Sequence, residues 1–130
     1  MGKKVLVVDD DPDVREFNIT VVEQCGHTPI EASNGEEGLK AIKSEHPDLV
    51  ILDVLMPRQS GIRLYRELKT RKAYRDIQVV ILSGIAKRTF LRSQKALTEF
   101  GDVAVPDPEY YLEKPVEPEE LEEVINHILK

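Results

Sequence analysis

Apolar runs that end abruptly in polar residues constrain the fold of this chain more than any other feature of its sequence. Three such runs are Val5–Val8, Leu49–Leu52 and Ile77–Leu82, of which only the last has a polar interruption. Because polar residues do not alternate with the apolar ones, each run is typical of a strand in a parallel sheet that helices cover on both faces. The residues that follow the runs are Asp9 and Asp10, Asp53, and Ser83 and Gly84. We expect them to meet at the carboxyl edge of the sheet, where open α/β sheets bind ligands.

Five predicted strands alternate with five predicted helices along the chain. The strands are Lys4–Asp9, Thr28–Ala32, Asp48–Asp53, Ile77–Leu82 and Glu109–Glu113. The helices run from Asp11 to a stop at Gly26, from Ser33-Asn34 to His46, from Ile62 to Lys72, from Lys87 to Phe100 and from Pro118 to Leu129, and residues 58–61 are predicted to form a loop. This alternation implies βαβ crossovers, and therefore a single α/β domain with a doubly wound, five-stranded parallel sheet.

Composition excludes several classes of function. The chain has 130 residues, of which 41% are hydrophobic, and this is enough for one domain with a sizeable core. A formal net charge of −6 argues against non-specific binding to nucleic acid, and the apolar runs are too short to span a membrane. The N-terminus leads directly into a strand without a signal-peptide pattern, so the expected location is the cytoplasm. The single cysteine, Cys25, excludes an internal disulfide and a cysteine-based zinc site.

A fourth polar group follows the last predicted strand, where Tyr110–Glu113 ends in Lys114 and Pro115. The strand ends thus carry, in order, an acid pair, an acid, a hydroxyl and an ammonium group. In this order the motifs resemble those of the receiver domains of two-component response regulators, the CheY-like superfamily, and the resemblance covers Lys4–Lys130. It implies a flavodoxin-like (βα)5 fold with strand order 2-1-3-4-5. It also implies one receiver domain over residues 1–130, with no output domain in this chain.

The resemblance assigns phosphoryl chemistry to the acids. A carboxylate can attack phosphorus to form an acyl phosphate, and a divalent ion with oxygen ligands can offset the charge of the transferred group. Asp53 is the implied phosphoryl acceptor and Mg²⁺, or Mn²⁺, the implied ion. The implied ligands are Asp10, Asp53, Asp9 through water, and the backbone carbonyl of Leu55. Because three crowded acids repel one another, we expect the pKa of one of them to be raised in the absence of the ion.

The remaining motif residues are implied to bind the phosphate or to switch. Lys114 would pair with Asp53 or its phosphate, and Ser83 would donate a hydrogen bond to a phosphoryl oxygen. Gly84 would leave a backbone N–H accessible beside it. Tyr111, three residues before the lysine, would be the aromatic side chain that turns inward as the hydroxyl moves. The bond between Lys114 and Pro115 would be a cis peptide, for which X-Pro is the only common place.

The partners follow from the same resemblance. A histidine of a sensor kinase or of a phosphotransfer protein would supply the phosphoryl group. The modified state would then alter the binding of a downstream protein through the face formed by the helix from Lys87, the strand ending at Glu113 and the helix from Pro118. A phosphorylation-dependent homodimer is a further implied option, whereas direct contact with nucleic acid or membrane is not expected. Such a switch is not an enzyme in the usual sense.

Three alternatives stay open at the level of the sequence. A phosphorylation-independent interaction module, or pseudo-receiver, is disfavoured by the complete set of motif residues. A metal-dependent hydrolase with an aspartyl-phosphate intermediate commonly carries a second acid two residues past the nucleophile, where Leu55 stands here. A flavodoxin-like cofactor binder would need a phosphate-binding loop after the first strand, and the sequence has none there.

The sequence departs from the family in two places. Residues 101–109 form a longer connection before the last strand than the family usually has, with Pro106 and Pro108 in an extended segment. This segment is either a tolerated surface insertion or an element that reshapes the partner surface. The second departure is at Leu55 and Ile85, two apolar residues that flank the expected site. They would shield the phosphoryl group from water, and we therefore expect slow self-dephosphorylation.

Overall fold

The computed structural model describes residues 2–99, 101 and 103–130, with Gln59 described by its backbone alone. Strands and helices alternate along the described chain, as the sequence predicts. The strands are β1 (Lys4–Val8), β2 (Thr28–Ala32), β3 (Leu49–Leu52), β4 (Gln78–Ser83) and β5 (Tyr110–Glu113). The helices are α1 (Pro12–Gln24), α2 (Gly35–Glu45), α3 (Ser60–Thr70), α4 (Lys87–Glu99) and α5 (Pro118–Ile128), and a 3₁₀ turn at Pro57–Gln59 precedes α3.

The strands form one parallel sheet in the order β2-β1-β3-β4-β5, which confirms the predicted fold class and strand order. Val8 pairs with Leu52, and Leu52 pairs with Ile81. The register aligns the ends of β1 and β3, and β4 continues two residues further, to Ser83. Asp9, Asp53 and Ser83 therefore lie at the same edge of the sheet.

Helices cover both faces of the sheet, so the central strands are buried on both sides. Leu6 and Val8 of β1 point to a core shared with α2, α3 and α4, while Val5 and Val7 point to a second core shared with α1 and α5. All four residues of β3 are at most 1% exposed. The uninterrupted apolar runs therefore reflect burial on both faces, as predicted. Within the described residues, no helix combines the length and the apolar character that a membrane span requires.

Local signals in the sequence set the ends of several helices. The Asp11 side chain accepts hydrogen bonds from the backbone N–H groups of Asp13 (2.9 Å) and Val14 (3.3 Å), and Pro12 occupies the first turn of α1. Gly26, which follows α1, has a φ of 86°. This left-handed conformation costs glycine little and ends the helix.

Two local predictions were wrong. Residues 58–61 are not a loop, because the 3₁₀ turn runs into α3, which begins at Ser60; Arg58 adopts a left-handed φ of 59° within the turn. The helical spacing of Val14, Phe17, Val21 and Val22 predicts one apolar stripe on α1, but Phe17 is 38% exposed. Phe100, the predicted last residue of α4, lies outside the described residues.

Candidate functional site

Hydrogen bonds that continue the sheet ladder hold three charged residues at its carboxyl edge. The backbone N–H of Asp9 donates to the carbonyl of Ala32 (3.1 Å), and that of Asp53 donates to the carbonyl of Val8 (3.0 Å). The N–H of Lys114 donates to the carbonyl of Ser83 (2.8 Å). These side chains are therefore positioned by the rigid sheet rather than by mobile loops.

A single ammonium group bridges two buried carboxylates. The Nζ atom of Lys114 lies 3.0 Å from Oδ2 of Asp9 and 3.2 Å from Oδ2 of Asp53. Asp9 is 1% exposed and Asp53 is 5% exposed, whereas the lysine side chain retains 24% of its exposure. The sequence predicted the contact between Lys114 and Asp53 but did not predict the second contact, with Asp9.

The second oxygen of each buried carboxylate is held by a backbone amide. The N–H of Asp11 donates to Oδ1 of Asp9 (3.0 Å), and the N–H of Leu55 donates to Oδ1 of Asp53 (2.8 Å). Both carboxyl groups therefore have a fixed orientation, with Oδ2 directed to the lysine. Such preorganisation lowers the cost of reaching a reactive geometry.

Close approach of α3 to the end of β3 requires a glycine. A Cβ atom placed on Gly61 would lie 2.3 Å from the backbone oxygen of Asp53 and 2.6 Å from the Cα of Val54. Any side chain at this position would displace the segment that carries Asp53. The glycine thus allows α3 to pack directly beneath the end of β3.

Burial is the main influence on the pKa of Asp9. Burial raises the pKa of Asp9, although the backbone amide of Asp11 and the ammonium group of Lys114 oppose this shift. Repulsion from Asp53 contributes in the same direction as burial but is the smallest effect. One carboxyl pKa is therefore raised, as expected, but desolvation rather than crowding is the main cause. Burial alone would lower the pKa of Lys114, but the two carboxylates outweigh it and raise that pKa.

The donor set fits a small, hard divalent cation. Asp9, Asp10 and Asp53 each offer a carboxylate oxygen, and these oxygens lie within 4.8 Å of one another. Asp10 is exposed, so the cluster opens to solvent on one side. Carboxylate ligands together with retained water are the coordination that Mg²⁺ prefers.

Ser83 and Tyr111 both form hydrogen bonds with the backbone of Ile85. Ser83 is fully buried, and its Oγ accepts a hydrogen bond from the N–H of Ile85 (3.3 Å). The hydroxyl of Tyr111 donates to the carbonyl of Ile85 (2.5 Å), and burial raises the pKa of this tyrosine to about 12. A Cβ atom on the exposed Gly84 would meet nothing within 4 Å, so the space at this glycine is open. The Lys114–Pro115 bond is cis.

The sequence did not predict a role for Arg15, which binds the backbone of Asp9 directly after β1. Its Nη1 donates to the backbone carbonyl of Asp9 (2.7 Å), and its Nε pairs with Oε1 of Glu31 on β2 (3.1 Å). The arginine lies four residues after the cap Asp11, where the sequence alone indicates only an exposed charge on α1. Its contact with Glu31 requires the β1–β2 pairing and therefore has no local signal.

The extended connection before β5 is anchored on α3. The hydroxyl of Tyr65 donates to the carbonyl of Pro106 (2.7 Å), and Arg66 of α3 donates to the carbonyl of Val103. The Tyr65 ring packs edge-on against Phe90 at a centroid distance of 5.6 Å, and Phe90 packs against Tyr111 at 5.5 Å. A line of aromatic contacts, from Tyr65 through Phe90, therefore joins this connection to Tyr111.

The chain is similar to known proteins in both sequence and fold. The sequence model of the response regulator receiver domain family matches residues 5–126. The phosphate regulon transcriptional regulatory protein PhoB of Escherichia coli is 37% identical over 83 residues, which are 64% of this chain and 36% of PhoB. The chain spans between 35% and 48% of the length of PhoB and two other curated relatives that it matches.

Solved structures share the fold over almost the whole chain. The receiver domain of the Francisella response regulator 1452 has a TM-score of 0.77 and is 30% identical, covering 98% of this chain and 96% of that one. The chemotaxis response regulator CheY4 of Vibrio cholerae has a TM-score of 0.80 at 24% identity, covering 99% of this chain and 100% of that one, and at this identity it shows the fold alone. With the family match over residues 5–126, these findings identify the chain as a member of the response regulator receiver domain family.

Proposed function

We propose that this receiver domain accepts a phosphoryl group on Asp53 from a histidine of a partner sensor kinase or His-phosphotransfer protein, and that the modified state changes its binding to a downstream protein. One observation carries this proposal most directly: Asp53 is buried, directly follows the central strand β3, and shares an ammonium group with a second buried acid. A structural acid would have no need of this cluster, whereas phosphoryl transfer needs a fixed nucleophile surrounded by groups that offset charge.

In the proposed phosphoryl transfer, named residues of this chain act at each step. A carboxylate oxygen of Asp53 attacks phosphorus, the bond from phosphorus to the donor nitrogen breaks, and the histidine leaves with the electron pair of that bond. Lys114 lies where it can offset the negative charge of the phosphoryl oxygens. The Ser83 hydroxyl and the N–H of Gly84 would bind those oxygens, and the space next to the Cα of Gly84 is open.

Mg²⁺, or Mn²⁺, is the proposed cofactor. Asp9, Asp10 and Asp53 would hold it together with the backbone carbonyl of Leu55, and it would supply positive charge to the transferred group. The protein contributes the fixed orientation of two of these carboxylates, since backbone amides and Lys114 set their direction.

The switch would run from Ser83 to Tyr111. A phosphoryl group on Asp53 competes for the Ser83 hydroxyl, which now accepts a bond from the amide of Ile85. A shift of the β4–α4 segment would change the hydrogen bond between Tyr111 and the carbonyl of Ile85. The proposed output face consists of α4, β5 and α5, on which Tyr111 lies; phosphorylation-dependent dimerisation through it is a further option.

Intact mass tests the acceptor function. The protein is incubated with acetyl phosphate, with and without Mg²⁺, and an Asp53→Asn variant serves as the control. A magnesium-dependent gain of one phosphate, absent from the variant, is the expected result. If the wild-type protein gains no phosphate under any condition, the domain is a phosphorylation-independent interaction module.

The segment 101–109, which α3 anchors at Val103 and Pro106, is proposed to shape the partner surface. It is anchored through Tyr65 and Arg66 and touches the aromatic line that leads to Tyr111. Shortening it to a two-residue turn should abolish partner binding while leaving the gain of phosphate intact. Equal partner affinity with and without the segment would refute this role and leave it a tolerated insertion.

A further inference from the structure

The three acids of the proposed metal site differ in how firmly their carboxylates are held. Backbone amides bind one oxygen of Asp9 and one of Asp53, and Lys114 binds the other oxygen of each. Asp10 is exposed, and within the described residues its carboxylate accepts no hydrogen bond and forms no ion pair. The direction of this third carboxylate therefore depends on the backbone that carries it.

The peptide unit between Asp9 and Asp10 sets the course of that backbone. A peptide unit is planar, so its carbonyl oxygen, its N–H and the Cα atoms on both sides move together. The preceding unit is held where the N–H of Asp9 donates to the carbonyl of Ala32 (3.1 Å), and the following unit is held where the N–H of Asp11 donates to Oδ1 of Asp9 (3.0 Å). The carbonyl of Asp9 is the remaining point at which the backbone of Asp10 can be fixed.

Arg15 holds this carbonyl. Its Nη1 donates to the carbonyl oxygen of Asp9 at 2.7 Å, and no other donor among the described residues binds that oxygen. Nε of the same guanidinium lies 3.1 Å from Oε1 of Glu31 on β2. The arginine side chain is only 17% exposed, and its planar fork fixes the angle between the two contacts. The loop that carries the acids is thereby tied to both α1 and β2.

We propose that Arg15 is a positioning residue for the metal site, and that it acts by holding the peptide unit that carries Asp10. A guanidinium has no acceptor atom, so Arg15 cannot itself be a ligand of the ion. Its effect on the ion has to pass through the backbone of Asp9 and the carboxylate of Asp10. The proposal rests on the proposed function, because it concerns the magnesium site that phosphoryl transfer would use.

The charge of Arg15 and its positioning role have opposite effects on metal binding. A guanidinium near the site repels a divalent cation, so removing it would strengthen Mg²⁺ binding if charge alone mattered. Glu31 offsets part of this repulsion, although its side chain is 62% exposed and solvent screens it. Loss of the bond to the Asp9 carbonyl would instead weaken binding, because the carboxylate of Asp10 would no longer be preorganised. The direction of the change in affinity therefore separates the two roles.

A purely structural role of Arg15 is also distinguishable. The contact with Glu31 joins α1 to β2 and would stabilise the fold whether or not the site binds an ion. In that case the variant Arg15→Met would lower the free energy of unfolding but leave the Mg²⁺ affinity of the folded protein unchanged. Urea unfolding and Mg²⁺ titration of the same variant therefore report on different properties.

Magnesium titration of Arg15→Met tests the proposal. Methionine keeps an apolar stem and removes both hydrogen-bond donors. Mg²⁺ is titrated into the full chain, and the backbone amide chemical shifts of Asp10 and Leu55 are followed. We expect binding about tenfold weaker than in the wild type, at the lower end of the range for groups that orient metal ligands. Arg15→Gln, with a shorter polar side chain, is a second variant for which we expect a loss in the same direction.

The order of the Asp10 amide gives a readout that needs no metal. This N–H belongs to the same planar peptide unit as the carbonyl that Arg15 binds. In the metal-free Arg15→Met variant, the NMR order parameter of the Asp10 amide should fall, whereas that of Asp53 should stay unchanged. A purely structural contribution of Arg15 to the α1–β2 contact would not single out this amide.

Lys40→Met is the matched control, because it removes another exposed cation from the same region. Hydrogen bonds from Ser33 lower the pKa of Glu37 most, and Arg15 and Lys40 each add to this effect, so both cations lie near the same carboxylate. Lys40 is exposed on α2 and, among the described residues, forms no ion pair. We expect Lys40→Met to change the Mg²⁺ affinity less than about twofold.

The outcomes separate this proposal from the metal site itself. Unchanged or tighter Mg²⁺ binding by folded Arg15→Met, or a loss no larger than that of Lys40→Met, would overturn the positioning role while leaving the site intact. If the wild type shows no saturable shift with Mg²⁺, the proposed cofactor site is refuted and the role of Arg15 with it. Weaker binding by Arg15→Met together with a less ordered Asp10 amide would support the proposal.

Discussion

Replacement of Lys114 by methionine removes the only cation that contacts the two buried carboxylates among the described residues. Methionine has a similar length and retains the apolar stem, so the change mainly deletes the charge. Asp9 and Asp53, at 1% and 5% exposure, would then face each other without the ammonium group that now lies 3.0 Å and 3.2 Å from them. We therefore expect a large loss of stability in the absence of metal.

The magnitude follows from the burial of the three groups. Two unit charges about 3 Å apart interact by roughly 5 kcal/mol at an effective dielectric constant of about 20, but desolvation cancels much of this. Removing one partner of a buried ion pair costs about 3–5 kcal/mol. Because the lysine side chain is 24% exposed, we expect the lower end, about 3 kcal/mol. This loss lowers the urea midpoint by about 2 M for a domain of this size.

Magnesium should reverse the loss. The ammonium group and a divalent ion share the carboxylates of Asp9 and Asp53, so removal of Lys114 leaves more negative charge for the ion to bind. Urea unfolding is measured with and without Mg²⁺ for the wild type, for Lys114→Met and for Lys43→Met, an exposed lysine of α2. Stabilisation by Mg²⁺ should be larger in Lys114→Met than in the wild type.

Two results would refute this reasoning. If Lys114→Met is no less stable than Lys43→Met without metal, the bridge contributes nothing to the metal-free fold. If Mg²⁺ stabilises Lys114→Met less than it stabilises the wild type, the lysine and the ion do not compete for the same carboxylates.

The remaining predictions concern rates, anchoring and pH. The double variant Leu55→Asn/Ile85→Glu should shorten the lifetime of the phosphorylated form, because polar side chains at these two positions can position an attacking water. The lifetime is measured by mass spectrometry over time. An unchanged or longer lifetime would contradict the shielding role of the two apolar residues. Tyr65→Phe should lower the free energy of unfolding by about 1–2 kcal/mol, because it removes the 2.7 Å hydrogen bond to the carbonyl of Pro106. The control Tyr74→Phe should lower it less. Equal urea midpoints for the two variants would show that the hydrogen bond to Pro106 does not stabilise the fold. Because burial raises the pKa of Asp9 in the fold, its contribution to stability is present below its ordinary pKa and is lost as pH rises through the raised value. Asp9→Asn should therefore be more stable than the metal-free wild type at pH 7, with a smaller difference at pH 4; a pH-independent difference in urea unfolding would contradict this.

The pattern of apolar runs was sufficient to predict the sheet and its carboxyl edge. Leu49–Leu52 is buried on both faces, and such a run has few stable places other than the centre of a covered parallel sheet. The positions of Asp9, Asp53, Ser83 and Lys114 then follow from strand register alone. These parts of the site were predictable because each of these residues directly follows or ends its own strand.

Contacts between distant segments could not be predicted in this way. The bond from Tyr65 to Pro106 joins residues 41 positions apart, and the pair of Arg15 and Glu31 depends on how α1 lies over β2. Neither contact has a local sequence signal. The exposure of Phe17 is a similar case, because helical periodicity identifies a stripe on α1 but not how far α5 and the β5–α5 connection cover it.

The turn before α3 is a further feature that could not be predicted from the sequence. In this 3₁₀ turn Arg58 has a left-handed φ of 59°. A glycine or asparagine at this position would have indicated such a turn, whereas an arginine does not. The helix therefore begins at Ser60, two residues earlier than the periodicity of the apolar side chains predicts.

The most direct test of the central claim is to locate the phosphate itself. After treatment with acetyl phosphate and Mg²⁺, borohydride reduces an acyl phosphate to an alcohol, which converts a phosphorylated aspartate to homoserine; peptide mass spectrometry then identifies the converted position. Conversion of Asp53 alone, dependent on Mg²⁺, is the predicted result. Conversion at Asp9 or Asp10 in its place, or no conversion of any residue under conditions that modify a control receiver domain, would contradict the assignment of Asp53 as the phosphoryl acceptor.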